Sequence, residues 1–307
     1  MSDAPRTDGG GATMDKDSRA AGNAKADSAA VLYEKVGERI ARVTLNRPDK
    51  ANAQNYQLLY ELNAAFDRAV ADDDVRVIVL AAAGRHFSSG HDLEGGRFPL
   101  SEHAIGQWGG FNAPGMEGHW AREEEVYFGL CWRWRNIPKV LIAEVQGKVI
   151  AGGLMLVWPC DLVVASEDAT FSDPVVAFGA NGVEYFGHPW EVGVRKAKEM
   201  LFTGRAITAR VARELGMVNR VVPREKLTEE TMALAEEIAM QPMMGLKTAK
   251  ESVNQMQDAQ GYYNALRAAM SLQQLAHAQN YIVHDMAVDP AGMELIRGLG
   301  KKPPLEQ

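Results

Sequence analysis

A chain of 307 residues with 46% apolar and 24% charged side chains holds enough material for one large buried core. Its formal net charge of −7 argues against a broad polyanion-binding surface, so no nucleic acid and no membrane partner is expected, although a local basic pocket for one phosphorylated ligand is compatible with it. The two cysteines, Cys131 and Cys160, form no CxxC, and no Cys/His cluster stands at ligand spacing; this predicts reduced thiols in a cytoplasmic protein, with no disulfide framework and no metal.

Residues 1–30 are polar and rich in Gly, Ala and Asp, lack the apolar stretch of a signal peptide, and are expected to form a disordered tail. Order is predicted to begin at "VLYEKVGERIARVTL", two β-branched runs split by "GE", a hairpin signal. Leu58, Leu59, Leu62, Phe66 and Val70 then recur at helical spacing, with Asn52 or Asn55 as a cap. "VRVIVLAAAG" reads as a buried strand. Residues 95–137 show no clear periodicity until about Glu123, where Glu123, Glu124 and Glu125 are expected to open a helix on a solvated face.

A second unit follows, with "VLIAEVQG" as a strand, "AGGLMLVW" as a short apolar helix and "DLVVAS" as another strand. The coarse architecture is therefore α/β, a repeated β-β-α spiral core over residues 31–223. Beyond Pro223 the chain reads as helical to residue 307, and Met- and Leu-rich stripes at helical spacing indicate packing surfaces.

Two Gly-containing turns follow strands: "SSGHD" and "IAGGLM". Small residues let a ligand approach main-chain N–H groups, and the first N–H groups of a helix lack internal partners. Two such turns facing one another would form a two-donor pocket for an oxyanion.

Through "VTLNRPDKANA", "HFSSGHDLE", "VQGKVIAGGLMLVWPCDLVVASEDATFSDP" and "LFTGRAITARVARELGMVNRVVP", residues 31–223 resemble the crotonase superfamily, the enoyl-CoA hydratase/isomerase family. The resemblance implies a crotonase (ClpP-like) fold, a C-terminal helical trimerisation region over 224–307, and a homotrimer or hexamer. It also implies an acyl-CoA thioester substrate, with coenzyme A as part of the substrate and no separate cofactor. Its oxyanion donors fall on the N–H of His91 and the N–H of Gly152. Asp92 matches a position that supports the loop.

Hydratases of the family use two glutamates; the corresponding positions here are Met155 and Val175, neither of which transfers a proton. Ordinary hydration is thereby put in doubt, and replacement groups must come from nearby. Glu184, Asp173 and His188 are the candidate acid/base residues, beside Glu123, Glu124 or Glu125 of the insert. Asp173 also reads as a turn cap, and His188 as polar surface. Lys50 and Arg85 are candidate partners for the CoA phosphates, with surface charge as their plain alternative. Trp108, Trp120, Trp132 and Trp134 fit either a large acyl group or structural packing. Three functions are compatible with this pattern: an enzyme forming a thioester enolate or oxyanion, whether isomerase, CoA-thioester hydrolase or atypical hydratase/lyase; a non-catalytic acyl-CoA binder; and an RNA binder. The acidic balance weighs against the last.

Overall fold

A computed structural model describes residues 29–94, 98–106 and 108–306. The tail expected over residues 1–30 thus lies outside the described residues except for Ala29 and Ala30, which pair through their carbonyls with Asn46. β1 (Val31–Val36) and β2 (Ile40–Leu45) form the expected hairpin, antiparallel from Val31 opposite Leu45 to Val36 opposite Ile40. α1 (Tyr56–Ala71) starts at Asn55, whose side chain accepts from the Leu58 N–H at 2.9 Å. Asn52 does different work, donating to the Ala83 and His86 carbonyls and so tying down the loop after β3 (Val77–Ala82).

The insert is more helical than its composition suggested. α2 (Leu100–His103) and α3 (Gly115–Glu123) precede a π-helical turn at Glu124–Gly129, and α4 (Leu130–Arg135) completes the run. Glu123 therefore ends α3 and does not open a helix. Its periodicity was masked because α3 buries polar residues along with apolar ones.

The second unit comprises β4 (Val140–Val145), β5 (Lys148–Ile150), α5 (Gly152–Val157), β6 (Leu162–Ser166) and β7 (Thr170–Ser172). After it come α6 (His188–Val192), α7 (Val194–Thr203), β8 (Ile207–Thr208), α8 (Ala209–Glu214) and β9 (Arg220–Val222). α9 (Leu227–Ala239), α10 (Met243–Ala259), α11 (Tyr262–His284) and α12 (Gly292–Leu299) form the C-terminal region. Gly261, at φ 99°, divides the long helical stretch between α10 and α11.

The main sheet runs β1-β2-β3-β4-β6-β9, parallel from β2 onward, and a smaller sheet runs β5-β7-β8. Strands buried on both faces read as continuous apolar runs, as β3 does and as β4 does apart from Glu144, which pairs with Arg42 at 2.7 Å. On one face Ile40, Val77, Val79, Val140, Ile142 and Val164 meet Leu227, Leu234, Ala235 and Ala239 of α9. Burying each such leucine contributes about 1.5–3 kcal/mol. On the other face Ile78, Leu80 and Leu141 join the larger core with Leu58, Leu62 and Phe66 of α1. α9 is thus a wall of the sheet core, while α10 and α11 leave Val253, Met256, Leu272, Leu275, Ile282 and Val283 exposed.

Candidate active site

Both glycine turns lie where the two sheets meet. The segment after β3 is stitched on two sides. Ser88 N–H donates to the Lys148 carbonyl at 3.2 Å and Ile150 N–H to the Ser88 carbonyl at 3.0 Å; Gln54 N–H donates to the Gly90 carbonyl at 2.8 Å and Asp92 N–H to that of Gln54 at 2.9 Å. Gly90 sits at φ 93°, and a Cβ there would stand 2.8 Å from the Ile150 oxygen and 3.3 Å from the Gly152 nitrogen. Backbone therefore passes backbone at a distance only glycine allows.

The second turn is strained. Ala151 adopts φ 47°, ψ −116°, and is held there by its N–H donating to the Ser172 carbonyl at 2.8 Å. α5 begins at the next residue. Among the described residues neither the His91 N–H nor the Gly152 N–H meets an acceptor. Gln54 braces the turn by donating from Nε2 to the Gly152 carbonyl at 2.7 Å.

His91 occupies the space beside Gly152. Its ring stacks on Tyr127, centroids 3.9 Å apart and planes at 10°, and its Cδ2 and Nε2 lie 2.5 and 2.6 Å from where a Cβ on Gly152 would be. Its side chain keeps 21% of its surface exposed. Even so, the surrounding protein pushes its pKa down to about 4, because burial outweighs the nearby Glu123 and Asp173 charges. His91 is thus neutral near pH 7.

Glu184 stands 3.7 Å from His91 Nε2 through Oε2, with only 5% of its side chain exposed. That oxygen has no hydrogen-bond partner among the described residues. Burial, reinforced by the charge of Glu123, holds the Glu184 carboxyl well above the usual carboxylate range. Glu184 is therefore a buried carboxyl whose neutral form is favoured over that of a solvated one.

Asp173 and His188 are brought together elsewhere in the same wall. Asp173, fully buried, accepts from the N–H groups of Val175 and Val183, each at 3.0 Å, and pairs with His188 Nε2 at 2.8 Å. His188 is fully buried between Trp158 and Phe186, so it is not polar surface. The pair clamps the loop that carries Glu184. Met155 is buried in α5, with its carbonyl facing the Cys131 thiol at 3.2 Å.

A model of the enoyl-CoA hydratase/isomerase family matches residues 35–283. The Mycobacterium tuberculosis protein EchA13, which carries an enoyl-CoA hydratase name, is 47% identical over 257 residues, covering 81% of this chain and 80% of its own. The chain belongs to the enoyl-CoA hydratase/isomerase family. Its structure is similar to that of a Mycobacterium thermoresistibile protein described as an enoyl-CoA hydratase, with TM-score 0.78 and 50% identity over 84% of this chain and 99% of the other. An enoyl-CoA hydratase/isomerase from Xanthobacter autotrophicus Py2 aligns with TM-score 0.74 and 31% identity over 89% and 98%. The fold is the crotonase fold, and the family's enzymes act on acyl-CoA.

In this enoyl-CoA hydratase/isomerase chain the acidic run of the insert is not a solvated face. Glu123 and Glu125 are buried. Glu125 accepts from the Tyr60 hydroxyl at 3.1 Å and from the N–H groups of Ile105 and Gly106, Glu124 pairs with Arg267, and Glu123 faces His119 and His277. Burial alone would raise the Glu123 pKa, but the two imidazoles beside it hold it below the ordinary carboxylate range. Sequence reading passed over His119 and His277 because α3 and α11 meet only in the folded chain. The spacing of His119 and Glu123, four residues apart on one helix face, is the only local trace.

At the other end of the "SSGHD" loop, Lys50 is exposed and paired with Glu94 at 3.0 Å, and its pKa is raised by that hydrogen bond. Arg85 is exposed, and Asp92 pairs with Arg47 at 2.9 Å, the loop-supporting role expected of it. The four tryptophans do not form one cluster. Trp134 is buried on Phe66, Trp132 lies on Tyr263, and Trp108 lies on Trp120.

Proposed function

We propose that this chain moves a proton on an enoyl-CoA-type thioester, with the thioester oxygen held between the N–H groups of His91 and Gly152 as it becomes an enolate. Glu184 carries the proton. The observation that supports this reading is the position of Glu184: a buried carboxyl without a partner on Oε2, 3.7 Å from the ring of His91, which itself lies against Gly152. Its raised proton affinity makes the ionised form a stronger base than an ordinary carboxylate. Ionised Glu184 takes a proton from carbon, the electrons move into the thioester, and the same carboxyl returns the proton to another carbon of the enolate.

Hydration of the usual kind needs an acid and a base together. Met155 and Val175 supply neither, so one carboxyl fits isomerisation better than addition of water. Each oxyanion donor is worth about 3 kcal/mol of transition-state stabilisation. Lys50 and Arg85, exposed beside the same loop, take the CoA phosphates in this reading. The exposed apolar residues of α10 and α11 support a homotrimer or a hexamer built from two trimers.

The test is incubation of wild type and Glu184→Gln with a panel of enoyl-CoA and ketoacyl-CoA esters in D2O, followed by chromatography and mass analysis. Wild type gives a product of shifted retention time with no added water, and deuterium enters it only as far as Glu184 exchanges its proton with solvent before returning it. Glu184→Gln lowers turnover by about 10²–10⁴ and leaves CoA-ester affinity within about twofold. A mass gain of one water, release of free CoA, or undiminished turnover in the variant overturns the assignment. Tight binding without any product would leave the chain an acyl-CoA binder.

A further inference from the structure

His119 and Glu123 lie on one face of α3, and α11 brings His277 against them. Nε2 of His119 is 2.9 Å and Nε2 of His277 is 3.3 Å from the same oxygen, Oε1 of Glu123. One ligand atom from each of the three residues lies within 4.8 Å of the other two. Among the described residues neither imidazole makes a hydrogen bond of proper geometry through that nitrogen. Both nitrogens lie within 3.3 Å of one carboxylate oxygen without a well-aligned N–H···O bond to it.

The surroundings fix the atoms in that presentation. His277 Nδ1 donates to the Ala287 carbonyl at 2.6 Å, which leaves Nε2 facing Glu123 as the nitrogen a metal ion takes once it displaces any proton there. Gln274 Nε2 donates to Glu123 Oε2 at 2.6 Å, which turns Oε1 toward the two imidazoles. Asn280 Nδ2 holds the Ala287 carbonyl from a second side at 3.0 Å. The side chains of His119, Glu123 and His277 are 14%, 8% and 5% exposed. The π-helical turn that starts at Glu124 breaks the α-helical register immediately after the carboxylate, a feature frequent at functional sites.

We infer that His119 Nε2, His277 Nε2 and Glu123 Oε1 form a site for one divalent transition-metal ion of the zinc class. Metal–ligand distances of about 2.0–2.2 Å place tetrahedral ligand atoms roughly 3.4 Å apart. The His277–Glu123 separation already meets this, and the His119–Glu123 pair needs only a small opening. Two imidazoles and one carboxylate leave at least one coordination position for water or another ligand. The held Nδ1–H of His277 and the held Oε2 of Glu123 are the outer contacts that commonly orient metal ligands. The inference is independent of the isomerase reading, since it concerns binding alone.

The experiment uses the untagged full-length chain, stripped with chelator and dialysed, then titrated with Zn2+ by calorimetry and with Co2+ by visible absorption. One ion per chain is expected, with cobalt d–d bands in the visible range. His119→Ala and His277→Ala each weaken Zn2+ binding by at least 10–100-fold, and Glu123→Gln does the same without removing side-chain volume. His284→Ala, an α11 histidine outside the cluster, leaves affinity unchanged. Circular dichroism establishes that each variant is folded. Absence of stoichiometric binding to wild type, or wild-type affinity in both His119→Ala and Glu123→Gln, overturns the site.

Discussion

The contact between His91 and Gly152 can be tested by a double-mutant cycle whose sign follows from the geometry. A methyl at position 152 would stand 2.5 and 2.6 Å from Cδ2 and Nε2 of His91 and 3.1 Å from Gln54 Oε1. Carbon atoms in contact prefer about 3.5–4.0 Å, so the ring must retreat by about 1 Å. Retreat disturbs the stack with Tyr127, whose centroid is only 3.9 Å away. Overpacking of this kind costs about 1–3 kcal/mol. Against it stands the small gain from replacing glycine in the first turn of α5, about 0.5 kcal/mol or somewhat more.

Gly152→Ala is therefore expected to destabilise the wild-type background by about 1–2 kcal/mol. In a His91→Ala background the ring is gone, and the same substitution becomes neutral or stabilising by about 0.5 kcal/mol. The coupling between the sites is then about 2 kcal/mol. Urea titrations of all four proteins at one fixed protein concentration, followed by tryptophan fluorescence, measure it. An equal cost for Gly152→Ala in both backgrounds, within about 0.5 kcal/mol, would refute the placement of the imidazole beside the Gly152 N–H.

Other consequences are open to measurement. His91 has an ordinary pKa of 6.5 and a folded value of about 4, so between these values the unfolded chain binds the proton and the folded chain does not. Stability should fall by roughly 3 kcal/mol as pH drops from 6.5 to 4. His91→Gln should lose that part of the slope, and parallel pH profiles for the two proteins would contradict the shift. Asp173→Asn, whose NH2 group must face either the Val175 N–H or the Val183 N–H in a buried site, should cost about 3 kcal/mol in denaturant unfolding. A cost below about 1 kcal/mol would remove the clamp from the account. Leu275→Asp combined with Ile282→Asp on α11 should reduce the particle mass seen in light scattering to that of a monomer if this exposed face joins subunits. An unchanged mass would place the interface elsewhere.

The hairpin, β3, β4, β6 and α5 were legible because each carries a local signal: β-branched runs buried on both faces, or glycine opening an apolar helix. The insert was not, since α3 buries Glu123 among histidines and so lacks the apolar stripe that marks an ordinary helix. Gly90 and Gly152 stood out in the sequence as bare backbone that a ligand can approach; in the structure a Cβ at Gly90 would meet the Ile150 carbonyl and one at Gly152 the ring of His91. Asp173 and His188 stood out for chemistry, yet their buried pairing makes them a support for the Glu184 loop.

By itself the sequence determined the hairpin, α1, β3, β4, α5 and β6 in their order, the two bare turns and the absence of carboxylates at positions 155 and 175, because these depend on residue type and short-range spacing. Only the tertiary structure decided the charge states. Whether Glu184 keeps a proton, whether His91 is neutral, and whether Glu123 faces two imidazoles depend on which elements are folded against each side chain and how much water they exclude.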